Sequence, residues 1–193
     1  CKNGTGTADD YEFYGLYRST DSGTNFTARY TGPKNLLGWE TTGNDNGGQG
    51  WYDLTLAVSP TDYNVVFVGG VNIWKSTDGG TNWSCVGVWN GSGSSYVHAD
   101  HHALEFLPGS GTTLFSGNDG GFFKSTNTGS GWYDLSNGLG IHQYYRIGVS
   151  QTNANIVYGG AQDNGTDRYS SGTWTRVIGG DGMECAVDYT NAN

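Results

Sequence analysis

The sequence predicts an all-β fold, a β-propeller built from four-stranded antiparallel blades, and three observations carry that prediction. An eight-residue phrase recurs: Ser76-Thr77-Asp78-Gly79-Gly80-Thr81-Asn82-Trp83 is echoed by residues 19–26 and again by 125–132. The copies begin 57 and 49 residues apart, near the period of roughly 40–50 residues at which blades of short strands repeat. The composition is that of strands and turns, with 34 Gly, 7 Trp, 13 Tyr and 7 Phe against only 3 Pro, and no helix is read in it.

Each copy follows an aromatic and a base (Tyr17-Arg18, Trp74-Lys75, Phe123-Lys124), so the unit is a strand running into a tight turn. The Asp at the third position, or Asn127 in the last copy, accepts hydrogen bonds from nearby N–H groups. The glycines supply left-handed backbone, and the closing Phe26, Trp83 or Trp132 plugs the turn. A degenerate fourth copy is read at 167–174.

Segments 64–70, 112–118 and 155–161 align as second strands. Residues 51–59, 98–107 and 143–150 precede them as first strands, and 184–189 begins a further one. The blades are therefore placed at about 1–50, 51–97, 98–142 and 143–183, with the next starting at 184–193, in one propeller segment. Residues 32–50, rich in glycine, are expected as a long surface loop. The expectation is a partial propeller from a longer chain; a four-bladed ring closed by pairing the last strand with the first blade is the alternative.

The repeated phrase resembles the box of the Asp-box or BNR-repeat β-propellers, which include sialidases, xyloglucanase-like glycosidases and sortilin-like ectodomains. Ser76, Asp78, Gly80 and Trp83 match Ser-x-Asp-x-Gly-x-x-Trp in full. Ser19, Asp21, Gly23 and Phe26 match with one aromatic exchange, and Ser125, Asn127, Gly129 and Trp132 with Asn for Asp. The resemblance implies that the box is structural, and one fold hosts many activities. The run of His-x-Asp-x-His, Asn-Asp-Gly-Gly, Gln-Asp-Asn-Gly and Gly-Gly-Asp-Gly further resembles propellers of large secreted bacterial proteins, often exported by type IX secretion.

The net charge of −9 leaves nine scattered Lys and Arg, without the basic stripe a nucleic-acid surface needs. No run approaches the length of a membrane helix. Abundant Gly, Ser, Thr, Asn and Tyr suit a secreted or cell-surface location. Sequons at Asn3, Asn25, Asn82, Asn90 and Asn164 matter only in a eukaryotic secretory pathway. Cys1, Cys85 and Cys185 form an odd set, compatible with a fragment start at Cys1, with an acylated Cys1, or with a Cys85–Cys185 disulfide.

The most chemical stretch is Val97 to Leu104, with three of the four histidines. On a strand His98, Asp100 and His102 share one face. They would form a metal set, an acid–base set or a structural hydrogen-bonding corner. Asp119, Gln162 with Asp163, and Asp181 with Glu184 each lie among glycines and are expected to ring a common ligand mouth, although Asp and Gly are also ordinary turn residues. No organic cofactor is expected, a metal ion at the His–Asp–His set being the alternative.

A sialidase needs three arginines on a carboxylate and a Tyr–Glu pair, and the scattered Arg18, Arg29, Arg146, Arg168 and Arg176 disfavour it. A two-aspartate glycosidase needs only carboxylates across a cleft, for which Asp100, Asp119, Asp163 and Asp181 are candidates. Trp39, Trp51 and Trp89 offer sugar-stacking faces. The leading expectation is a binding or adhesion module for glycan or protein. The alternatives are a xyloglucanase-like hydrolase and a sortilin-like peptide receptor, and further blades or domains of the same chain are expected partners.

Overall fold

The computed structural model describes residues 1, 2, 6 and 10–191; the sequon asparagine Asn3 lies outside them. They are all-β, and no helix occurs among them. Two compact units form, Cys1–Asn137 and Gly138–Asn193.

The first unit opens with the hairpin β1 (Leu16–Arg18) and β2 (Thr27–Tyr30). Two four-stranded antiparallel meanders follow, each pairing strands in chain order as propeller blades do. One is β3 (Thr55–Val58), β4 (Val66–Gly69), β5 (Ile73–Ser76) and β6 (Ser84–Gly87); the other is β7 (His101–Phe106), β8 (Leu114–Asn118), β9 (Gly121–Ser125) and β10 (Tyr133–Asp134).

β4 is buried on both faces, which is why Val65 to Val68 is an unbroken apolar run. Phe67 packs with Ala57 and Ile73 against Leu104, Phe106, Leu114, Phe123 and Trp132 of the next sheet. On the other side Val66 and Val68 meet Tyr30, Leu36, Leu37, Trp74 and Trp83. Burial at this level contributes about 1.5–3 kcal/mol per large apolar side chain. Two hydrogen bonds tie β7 to the preceding sheet: His101 N–H donates to Gly70 O, just after β4, at 3.0 Å and Leu104 N–H to Thr55 Oγ1 of β3 at 3.1 Å.

The segment expected as a surface loop between the first two blades is a loop, exposed at Trp39, Glu40, Thr42, Asn44 and Asn46, but its stretch from Asn35 to Gly38 enters the core. Leu36 and Leu37 are 0% and 1% exposed. The loop is held by Asn35, whose amide donates to the carbonyls of Asp45 and Gly47, and by Asp45, which accepts the N–H groups of Trp39 and Glu40. Apolar residues flanked by glycines had read as solvent-facing because their partners in β4 and β5 lie far along the chain.

The three repeated turns share one hydrogen-bond scheme. Ser76 Oγ accepts the N–H of Gly80 at 2.9 Å and donates to Asp78 Oδ1, which accepts the N–H groups of Thr81 and Asn82. Ser19 and Asp21 repeat the pattern around Gly23 and Asn25. Ser125 and Asn127 repeat it around Gly129 and Gly131. In each copy two consecutive residues are left-handed, Ser22-Gly23, Gly79-Gly80 and Thr128-Gly129. The plugs are unequal: Trp83 and Trp132 are buried, whereas Phe26 is 63% exposed and plugs nothing in the two-stranded hairpin, which has no outer sheet to cover it.

The second unit is one meander, β11 (Arg146–Val149), β12 (Ile156–Ala161), β13 (Gly165–Ser170) and β14 (Thr173–Ile178). The degenerate fourth copy is a plain two-residue hairpin: Ser171 and Gly172, both at positive φ, join β13 to β14 without a serine–aspartate turn. Residues 184–189, expected as a strand, form no ladder. They lie against the sheet all the same: the main chain at Gly182 to Cys185 abuts Gly148 and Gly160, and Gly182 N–H donates to Ala161 O at 2.9 Å.

Candidate functional site

The chemistry of the first unit gathers where the chain enters β3 and β7. Residues 51–53, expected to open a strand, instead close a turn that begins at Gln49, in which the N–H groups of Tyr52 and Asp53 both donate to Gln49 O. That turn points Asp53 inward and leaves Trp51 and Tyr52 outside. Asp53 has no exposed surface, and no N–H or hydroxyl group donates to either of its carboxylate oxygens. Its carboxyl faces that of Asp100 at hydrogen-bonding reach; burial, then the Asp100 charge, pushes it up to about 8.

β7 begins at His101, so the expected single face of His98, Asp100 and His102 does not exist. Asp100 precedes the strand with φ at 63°, breaking the alternation. His98 is buried against Gly120, with Nδ1 3.2 Å from Ala99 O. Asp100, 8% exposed, accepts the Gln49 amide at 2.8 Å. His102 is outside, its Nε2 2.8 Å from Asp119 Oδ1. Asp119 Oδ2 takes the phenol of Tyr52 at 2.7 Å, and its carboxylate lies within 4.8 Å of that of Asp100. Asp100, His102 and Asp119 are therefore neighbours, whereas the His98 ring packs on Gly120.

His101, between these residues, is fully buried. Its Nδ1 lies 2.8 Å from Ser116 Oγ and its Nε2 has no partner. Burial, with the nearby His98 and His102, holds it down at about 3, so it is a neutral core residue.

On the outside, aromatic rings run in sequence. Tyr11 and Trp51 are 6.3 Å apart, Trp51 and Tyr52 5.4 Å, and Tyr52 and His102 4.9 Å. Trp51 is 65% and Tyr52 44% exposed. Trp39 and Trp89 are joined separately, the Trp89 indole donating to Trp39 O at 3.2 Å. Gln49, Tyr52 and Asp53 were not singled out from the sequence. Their signal is the dense Gln-Gly-Trp-Tyr-Asp string closing a glycine-rich loop, which the strand reading absorbed.

A cleft of about 490 Å³ lies elsewhere, between residues 28–34 and 81–83. Its two cations already serve carbonyls: Arg29 donates to Gly79 O and Lys34 to Trp83 O. It is a seam between hairpin and sheet and carries no convergent free polar groups comparable to those around Asp100.

In the second unit Asp163, at φ 57°, donates its N–H to Asp181 Oδ1 at 3.0 Å, and Gln162 Oε1 accepts the Tyr145 phenol at 2.9 Å. Glu184 is exposed. Asp167, not foreseen, collects His142 Nε2 and the Tyr144 phenol, each at 3.2 Å, and Arg176 Nε at 3.7 Å. All three cysteines are free thiols, so no Cys85–Cys185 disulfide is formed.

No protein-family model matches the chain, and no curated protein is significantly similar to it. Among solved structures it is similar to an ancestral GH74 enzyme (TM-score 0.40, 21% identity, 87% of this chain and 22% of that one). It is also similar to the GH74 enzyme of Niastella koreensis (0.46, 17%, 86% and 26%) and to YCF48 from Cyanidioschyzon merolae (0.37, 17%, 81% and 48%). The chain spans about a quarter of the length of these GH74 enzymes and about half of that YCF48.

Proposed function

We propose that the chain is part of an Asp-box β-propeller of a secreted or cell-surface protein, and that its first unit binds glycan on the face formed by Trp51, Tyr52, His102 and Asp119. The observation that carries this reading is the exposure of Trp51 and Tyr52 beside hydrogen-bonding groups. An exposed aromatic cluster rimmed by polar groups marks an interaction surface. A sugar ring fits it because its C–H face packs on an indole while its hydroxyls reach a carboxylate and an imidazole at the edge. Hydrolysis by this unit is the weaker reading, since Asp53 and Asp100 are buried and leave Asp119 as the accessible carboxylate of the group.

Affinity electrophoresis of the full chain through gels containing neutral and acidic polysaccharides tests the proposal. Retardation is expected by at least one polysaccharide, with Trp51→Ala weakening it by about tenfold. Absence of retardation across the panel, or an undiminished Trp51→Ala, overturns it. Release of reducing ends, lost in Asp119→Asn, would replace binding by hydrolysis.

A further inference from the structure

We propose that Asp53, Asp100 and Asp119 form a site for a hard divalent cation, calcium by preference, beneath the aromatic face. Three carboxylates converge from the 49–53 turn, the entry to β7 and the β8–β9 hairpin. Asp53 faces Asp100, and Asp119 lies within 4.8 Å of Asp100 on the solvent side. The independent observation is Asp53 itself: it is wholly enclosed, no N–H or hydroxyl donor reaches either oxygen, and what its carboxyl faces is another carboxylate. A buried carboxylate is ordinarily paired or coordinates a metal. No lysine or arginine is among the charges that act on Asp53, which come from Asp100 and Asp119.

The donor chemistry selects the ion. Carboxylate oxygens without thiolate or imidazole suit calcium, magnesium or manganese, whereas zinc favours nitrogen and sulfur. His102 contacts Asp119 and positions it as an outer partner of a ligand. This differs from the His98–Asp100–His102 set expected on a single strand face. Gln49, donating to Asp100 Oδ1, orients the central carboxylate in the same way. The exposed side at Asp119 is the entry path. The site does not depend on glycan binding.

Terbium luminescence tests it on the full chain, because Trp51 and Tyr52 adjoin the site and would sensitise a bound lanthanide. Chelator-treated wild type is expected to give sensitised emission that calcium displaces and to melt higher with calcium than without it. Asp53→Asn should bind at least about tenfold more weakly and lose the calcium-dependent shift. Should Asp53→Asn fail to fold by near-ultraviolet circular dichroism, Asp119→Asn, at an exposed position, should weaken binding several-fold. Glu105→Gln, an exposed carboxylate on β7, should bind as wild type. The proposal is overturned by absent emission, by unchanged affinity in the folded Asp variants, or by an equal loss in Glu105→Gln, which would mark diffuse surface charge.

Discussion

The phenol of Tyr52 donates to Oδ2 of Asp119 at 2.7 Å across 67 residues of sequence, joining the turn before β3 to the hairpin between β8 and β9. The carboxylate accepting that bond raises the phenol well above the ordinary tyrosine range. Tyr52→Phe keeps the ring and removes the bond. The expected outcome is a loss of about 1 kcal/mol in urea unfolding, with one fewer tyrosine resisting ionisation in an alkaline ultraviolet titration. Identical titration curves would show that the bond is not made in solution.

The serines of the repeated turns should matter in proportion to their enclosure. Ser76 and Ser125 are 1% and 0% exposed and each accepts a glycine N–H that has no water to turn to, whereas Ser19 is exposed. Ser76→Ala and Ser125→Ala are expected to cost about 1–3 kcal/mol each. Ser19→Ala should cost distinctly less, because water can replace the lost acceptor. Equal effects at all three positions in denaturant titrations would contradict this ordering.

Acid sensitivity should come from two of the three turns. The N–H and side-chain amide of Asn25, with Ser19, hold Asp21 down at about 2, and Asn82 with Ser76 holds Asp78 lower still. Carboxylates depressed in the folded state contribute stability that is present above about pH 4 and lost as pH falls through their folded values. Asn127 performs the same turn with nothing to titrate. A double Asp21→Asn, Asp78→Asn protein should therefore show a flatter fall in its urea midpoint from pH 4 to pH 2 than wild type. Parallel pH profiles would place the acid transition elsewhere.

The second left-handed position of each turn is closed to side chains where blades meet. A Cβ on Gly129, at φ 76°, would lie 2.6 Å from the Phe67 ring, and one on Gly80, at φ 90°, 2.4 Å from Leu16. Left-handed backbone and overpacking add, so Gly129→Ala and Gly80→Ala should each lower stability by about 2–4 kcal/mol. Gly23→Ala has the same backbone penalty but open space around it, and thermal unfolding should rank it the mildest of the three.

Much of the fold was legible because its determinants are local. The serine–aspartate turns close within four residues, so their sequence copies predict their structure copies, and the second strands expected at 64–70, 112–118 and 155–161 are β4, β8 and β12. Failures occurred where a local pattern met a distant partner. Leu36 and Leu37 read as loop until Val66, Val68 and Trp74 covered them. The alternation from His98 to His102 read as strand until Asp100 took a left-handed conformation. Phe26 read as a plug, but the hairpin offers it no covering sheet.

The sequence by itself determined the unit of construction: a strand, a capped turn and an aromatic, repeated at blade spacing, with all the information carried in hydrogen bonds between near neighbours and in an alternating apolar pattern. Tertiary structure alone decided the site. Gln49 meets Asp100 over 51 residues and Tyr52 meets Asp119 over 67, separations that no periodicity encodes. The burial of Asp53 follows from the same cause, since a carboxylate in a Trp-Tyr-Asp turn is unremarkable until two sheets pack through β3 and β7 and close the space around it.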